Sequence, residues 1–376
     1  MHRPTLLLLL PAFALAPLTS SAQGTLANQG FGYPFGQLST RALSNGGAMV
    51  EFDPRSPWNP AALGATGRLI VLQYEPEYRR IEGAGVDESQ RFIRFPLIAG
   101  VLPIGSRFAL GFSTSTLLDR TGQSVEQRTE IIAGEPVTFD EIVRNDGAIN
   151  DLRFGTAYGI SDRLRVGLAA HAITGEYRQL LSRSFETPGF DSLGFESRAS
   201  FSGLAFSGGV MWQVVPGINL GASGRLGQEI EAFVNDTARS TADVPDRVSV
   251  GLGVERISGV ALAAHAAWEG WSSLDGLGSD QVHVHDSREY GLGAEVAGPT
   301  LFGATIPLRV GVRWRGLPFS ADGDQVDETA IAGGIALPLL GGLSLLELGV
   351  QHARRSSALP FRERSLLVSF AMTIRP

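Results

Sequence analysis

From about residue 65 to the end of the chain, apolar side chains alternate with small or polar ones over runs of about ten residues, each closed by turn chemistry. The run 306–316 shows the pattern. Ile306, Leu308, Val310, Val312 and Trp314 share one face of an extended strand, while Arg309, Gly311, Arg313 and Arg315 share the other. The same two-sided order places Leu164, Val166 and Leu168 against Arg165, Gly167 and His171, and Leu366, Val368 and Phe370 against Ser369, Ala371 and Thr373. A soluble sandwich also alternates, but its strands average about half this length. Runs of about ten residues suit a tilted bilayer crossing, one face in lipid and the other in a lumen. The pattern predicts an all-β protein, a transmembrane antiparallel β-barrel of about fourteen strands, at 66–76, 90–102, 106–116, 149–160, 164–178, 196–214, 218–231, 245–256, 259–271, 287–297, 306–317, 328–338, 343–355 and 363–375.

The connections support that reading. Short turns such as 103–106, 161–163, 216–217 and 340–342 follow the even runs, and longer polar stretches follow the odd ones, as in barrels with short periplasmic turns and long outer loops. Both chain ends then fall on the periplasmic side. The stretch 298–305 is long for its place, and 117–148 reads as the longest outer loop, rich in Asp, Glu and Arg. Tyr158, Trp212, Trp268, Trp271 and Trp314 lie near run ends, where aromatic girdles form at the membrane surface. Alternation falters at Phe95 and Pro96, which marks an irregularity in that strand.

Residues 1–22 change the picture by adding an address. His2 and Arg3 precede an apolar centre from Leu6 to Leu18 and a small-residue exit at Ser20, Ser21 and Ala22, the order of a cleavable signal peptide, with Pro11 and Pro17 interrupting any spanning helix. The expected location is the bacterial outer membrane, with membrane lipid and the barrel assembly machinery as partners. Glycine is abundant at 47 residues and charged residues make up only 18%, both unlike a water-exposed helical enzyme. A net charge of −7 without a basic tract argues against nucleic acid. With no Cys there is neither a disulfide framework nor a thiolate site. Every one of the 31 basic residues is Arg, a bias that a GC-rich genome accounts for.

The stretch 23–64 does not alternate. It holds Ser44-Asn45-Gly46-Gly47-Ala48, then Asp53-Pro54-Arg55-Ser56-Pro57-Trp58-Asn59-Pro60-Ala61-Ala62-Leu63. This resembles the amino-terminal region of the FadL/TodX family of outer-membrane transporters for long-chain fatty acids and hydrophobic compounds. A second similarity runs from Val244-Pro245-Asp246 through Trp268-Glu269-Gly270-Trp271-Ser272. The resemblance implies fourteen strands, a plug or hatch over 23–64 inside a barrel formed by 65–376, and a hydrophobic ligand that leaves the lumen sideways. It assigns the plug to Gly46, Gly47, Ala48, Asp53, Asn59, Pro60 and Ala61, with Asn59 hydrogen-bonding buried backbone. The same features are shared by PorV-like barrels of a secretion machinery, which bind proteins, so a secretion-system partner is the alternative, and a general polar-solute porin a third. Two departures stand out: the polar 117–148 in place of a greasy capture loop, and a chain ending in Arg375-Pro376 in place of a terminal aromatic.

Inside such a barrel the candidate ligand contacts are Phe31, Tyr33 and Phe35 from the amino-terminal stretch, and His171, His265, Arg309, Arg313 and Arg315 from the lumen face. The Arg row is suited to a ligand carboxylate, or to neutralising lumen carboxylates. His283-Val284-His285-Asp286 and Asp322-Gly323-Asp324 gather donors without a complete metal set, so no metal or cofactor is expected. Gly-x-Ser-x-Gly, His-Glu-x-x-His and Walker motifs are missing from the chain, and it is not expected to be an enzyme. The expected function is outer-membrane transport of hydrophobic compounds such as long-chain fatty acids.

Overall fold

The computed structural model describes residues 31–376 except 84–85, 133, 186–190, 236, 278–281, 302 and 321–322. The export signal over 1–22, the stretch 23–30 and Asp322 therefore lie outside the described residues. Fourteen long strands form the wall: β1 (Leu69–Gly83), β2 (Val86–Ile104), β3 (Phe108–Asp119), β4 (Glu135–Gly159), β5 (Leu164–Phe185), β6 (Leu193–Val215), β7 (Ile218–Val234), β8 (Arg247–Ile257), β9 (Val260–Glu269), β10 (Ser287–Leu301), β11 (Ala304–Leu317), β12 (Val326–Leu339), β13 (Ser344–Ser356) and β14 (Arg362–Ile374). Each pairs antiparallel with the next, and β14 pairs back onto β1 from Ile374 opposite Ile70 to Arg362 opposite Glu82, which closes the barrel and leaves no free edge.

The wall is inside out by the standards of a soluble protein. Phe154 and Leu168 are each 68% exposed on the outer face, where lipid takes the place of water. The buried residues of the same strands include Asp151, Arg153, His171, Arg225, Arg247, Glu328 and Arg355, so the polar set of each strand faces the lumen. Strand length separates the two ends. β4 has 25 residues and β9 has 10, whereas about ten residues cross the hydrocarbon, so β4 continues well beyond the membrane on the side away from the chain ends.

Three expectations are corrected here. The stretch 117–148 is no open loop: the strand Gly122–Ile132 pairs with Glu135–Asn145 of β4 as a hairpin that extends the wall, and Asp119 and Arg120 are buried in it. Outside the membrane neither face of a hairpin needs to be greasy, which is why alternation gave no signal. The overlong turn 298–305 disappears because β10 runs on past a bulge between Ala297 and Thr300 to Leu301, and β11 begins at Ala304. Trp271 is not a girdle residue. It is 1% exposed, donates its indole N–H to Glu269 at 3.0 Å and packs against Phe319 inside the barrel.

Candidate functional site: the lumen and the segment inside it

Residues 31–65 lie inside the barrel. Their first turn of helix, α1 (Thr40–Ser44), begins at Ser39, whose hydroxyl accepts the Ala42 amide at 3.1 Å. It ends through Gly46 and Gly47, at φ of 62° and 80°, with the Gly47 amide donating to the Ala42 carbonyl at 2.8 Å. Glycine is needed at 46 for a second reason: a Cβ there would stand 2.5 Å from the Val312 carbonyl oxygen of the wall. Gly291, Gly293 and Gly311 of the wall face the same turn, so two backbones meet with no side chain between them, and Ala48 is wholly buried beside them.

Asp53 ties the segment together. Its carboxylate accepts hydrogen bonds from the hydroxyls of Ser39 and Ser56 and from Arg55 Nε at 3.0 Å, and Arg55 also ion-pairs with Glu347 of β13. Burial alone would push this carboxyl up, but the charges of Arg55 and Arg41 and the donated hydrogen bonds hold it at about 2. Further on, Asn59 caps the turn Pro60–Ala65. Its Oδ1 accepts the Ala61 amide at 2.9 Å, and its Nδ2 donates to the Val210 carbonyl of β6 at 3.2 Å. Gly167 and Gly209 of the wall leave room for Pro60, Ala61 and Asn59, and Leu63 packs over Gly111 and Gly155.

Two chains of buried ion pairs join the segment to the wall. In one, Tyr33 donates to Glu328 at 2.8 Å while Arg315 and Arg355 donate to its oxygen at 2.5 and 2.8 Å. Burial pushes the Tyr33 phenol up, so it remains a donor. Glu328 also takes Arg315 and Arg355, each at 2.6 Å, and the chain continues through Glu77 to Arg79 and Arg94. In the other, Arg309 bridges Glu295 at 2.7 Å and Glu347 at 2.6 Å, and Arg41 reaches Glu295 at 3.1 Å. Arg309 and Arg315 are thus met by carboxylates of the protein, which leaves neither guanidinium open to a ligand carboxylate. Arg313 differs: it reaches Glu328 and Gln351 only at 3.4 Å, and its Nε has no partner.

The predicted contact residues divide. Tyr33, Phe35, Arg313 and Arg315 line one cavity of about 60 Å3, together with Trp58 and Glu289, two residues the sequence did not single out. Phe31 lies next to that region, against Phe319 and under the Arg120 guanidinium. His265 stands at the edge of the Trp58 ring, 3.7 Å from Glu51. His171 is elsewhere, bonded through Nδ1 to Asp151 at 2.9 Å and through Nε2 to Ser207 at 2.7 Å. Among the described residues no group of three or more His, Asp or Glu is placed to hold a metal ion, and His285 bonds Ser320 instead.

One place in the wall is interrupted. β2 and β3 pair from Ile104–Phe108 only as far as Leu97–Ser115, although both strands continue. At that point β2 bulges, with Phe95 and Pro96 opposite Tyr74 alone. The edge of β3 that β2 leaves is taken up by the two-residue strand Tyr33–Pro34, paired with Asp119 and Leu118. Gly36 then sits between the two wall strands, where a Cβ would lie 2.8 Å from Pro96 and 3.0 Å from Thr116.

No protein-family model and no curated protein matches the sequence. Solved structures do. The toluene transporter TbuX of Ralstonia pickettii superposes with a TM-score of 0.64 at 16% identity, covering 90% of this chain and 98% of its own. A FadL homologue of Pseudomonas aeruginosa gives 0.60 at 14%, covering 92% and 99%, and the toluene transporter TodX of Pseudomonas putida gives 0.59 at 11%, covering 90% and 98%. The fold is that of the FadL/TodX-type transporters, a closed barrel of fourteen strands. An outer-membrane location is supported by that fold.

Proposed function

We propose that this barrel passes small hydrophobic molecules through the outer membrane, that residues 31–65 act as its plug, and that cargo leaves sideways between β2 and β3. The observation that carries the reading is the interrupted ladder above Leu97–Ser115, occupied by Gly36 of the internal segment. A broken backbone ladder facing lipid is costly unless something else covers it, and here the internal segment does so. Displacing that segment opens a route from the aromatic-lined cavity straight into lipid, and apolar cargo stays out of water at ~25 cal/mol per Å2. The similar structures include two toluene transporters and a monoaromatic hydrocarbon channel. Neutral cargo suits this lumen better than fatty acids, because Arg309 and Arg315 are engaged by Glu295, Glu347 and Glu328 and the third guanidinium, Arg313, is directed at Glu328 at 3.4 Å. The reading contains no catalytic step, and the Asp151–His171–Ser207 chain satisfies buried polar groups across β4, β5 and β6.

The chain has no Cys, so a single engineered pair can lock the segment. Pro34 and Leu118 are antiparallel partners. The double variant Pro34→Cys, Leu118→Cys, reconstituted in vesicles, is expected to lose toluene uptake when oxidised and to regain it on reduction. Uptake that ignores the disulfide would overturn the moving-plug route.

A further inference from the structure

The cavity between the internal segment and the wall carries more information than its volume. Its lining is aromatic, with Tyr33, Phe35, Trp58 and Trp271, yet the lining residues carry four buried polar atoms without a hydrogen-bond partner: Gln37 Nε2, Trp58 Nε1, Arg313 Nε and Glu289 Oε1. Trp58, Glu289 and Arg313 are 5%, 8% and 6% exposed. A buried polar atom left unpaired costs about 1–3 kcal/mol, so four around one cavity mark a place built to hold something polar. Three of the atoms donate and one accepts. A hydroxyl group can meet both demands at once, whereas a hydrocarbon meets neither.

Charge narrows the class further. Glu269 and Glu289 border the cavity, and both of its guanidinium groups are already directed at Glu328, Arg315 at 2.6 Å and Arg313 at 3.4 Å. A ligand carboxylate would therefore face like charges in a poorly solvated space, at a cost of several kcal/mol. At about 60 Å3 the space exceeds the roughly 10–15 Å3 needed by one water and falls short of the ~150 Å3 that admits a whole benzene ring. It fits the polar end of a ligand.

We propose that the cavity selects neutral hydroxylated aromatics, phenols, over the corresponding hydrocarbons and over carboxylates. This rests on the transport reading and names its cargo. The phenol hydroxyl donates to Glu289 and accepts from Trp58 or Arg313, while its ring displaces the Tyr33–Leu38 stretch from its place beside the interrupted wall. A site whose buried polar atoms are paired by one ligand and stranded by another discriminates strongly between them.

The test is calorimetric titration of the purified full-length barrel with phenol, toluene and benzoate, alongside the variants Glu289→Met and Trp58→Phe. Phenol is expected to bind at least ten-fold more tightly than toluene, with benzoate weakest. Each variant is expected to weaken phenol about ten-fold and toluene far less, and an unchanged unfolding temperature on a denaturing gel shows that the variants are folded. Toluene binding as tightly as phenol, or a phenol-to-toluene ratio that neither variant moves, would overturn the selectivity and leave hydrophobic transport standing. Benzoate as the tightest ligand would overturn it in favour of an anion site. Binding of none of the three, with the cavity holding water alone, would overturn both readings.

Discussion

Asp53 stands at the junction of everything that keeps residues 31–65 in one conformation: Ser39 at the head of α1, Ser56, and the Arg55 that reaches Glu347 of the wall. Its carboxyl ionises at about 2 in the folded protein against an ordinary 3.8, so its stabilisation is complete above pH 4 or so and is lost as pH falls through about 2. The shift is worth about 2 kcal/mol. Ion conductance across planar bilayers is therefore expected to be low at pH 5 and to rise toward pH 2 as the segment loosens. Asp53→Asn should conduct alike at both ends of that range, and a wild-type conductance flat down to pH 2 would contradict the role given to Asp53. The motif that contains Asp53 and Asn59 was legible from the sequence by resemblance, and the Gly46-Gly47 turn with it. The partners were not. Arg309 reads the same in the sequence whether it waits for a ligand or neutralises Glu295 and Glu347, because which carboxylate lies across the lumen depends on the register of distant strands. Trp58 had no periodic signature, and period two put Glu289 on the lumen face without marking it as a site residue. They become site residues only when β10 and the internal segment are brought together.

At the scale of elements, the strands were the most legible part, since a lipid face and a lumen face impose period two on every crossing. Each of the runs read from alternation corresponds to a wall strand. What alternation missed was the structure beyond the membrane, the hairpin of Gly122–Ile132 with β4, where no lipid imposes an apolar outer face and Val137 and Phe139 are buried on the other. The faltering at Phe95 and Pro96 did mark an irregularity, and the bulge there has a measurable consequence. Between Asp87 and Phe95, β2 is bonded to β1 on one side and has no ladder to β3 on the other. By hydrogen exchange, the β2 amides in that stretch that do not point at β1 are expected to exchange rapidly, while those of Leu97–Ile104 stay protected on both sides. Uniform protection along β2 would mean that the wall is continuous and that the lateral route is closed.

For the whole molecule, the wall and the segment inside it are held by different forces. The wall is a ring of backbone hydrogen bonds closed between β14 and β1 and interrupted between β2 and β3 beyond Leu97–Ser115. The segment is held by side-chain charges, foremost the Tyr33 hydroxyl shared among Glu328, Arg315 and Arg355. That division is what the proposed route requires, one part moving while the other stays rigid. It also predicts how the two respond to one atom. Tyr33→Phe keeps the ring beneath the Arg79 guanidinium, 4.7 Å away, and removes only the hydroxyl, at a cost of about 1–3 kcal/mol in the docking of the segment. In the background of the Pro34→Cys, Leu118→Cys pair, the yield of disulfide under mild oxidation is expected to fall several-fold, while the temperature at which the barrel unfolds on a denaturing gel stays unchanged. A fall in both would show that the segment is an inseparable part of the wall, and a plug that cannot leave without unfolding the barrel could not gate passage through it.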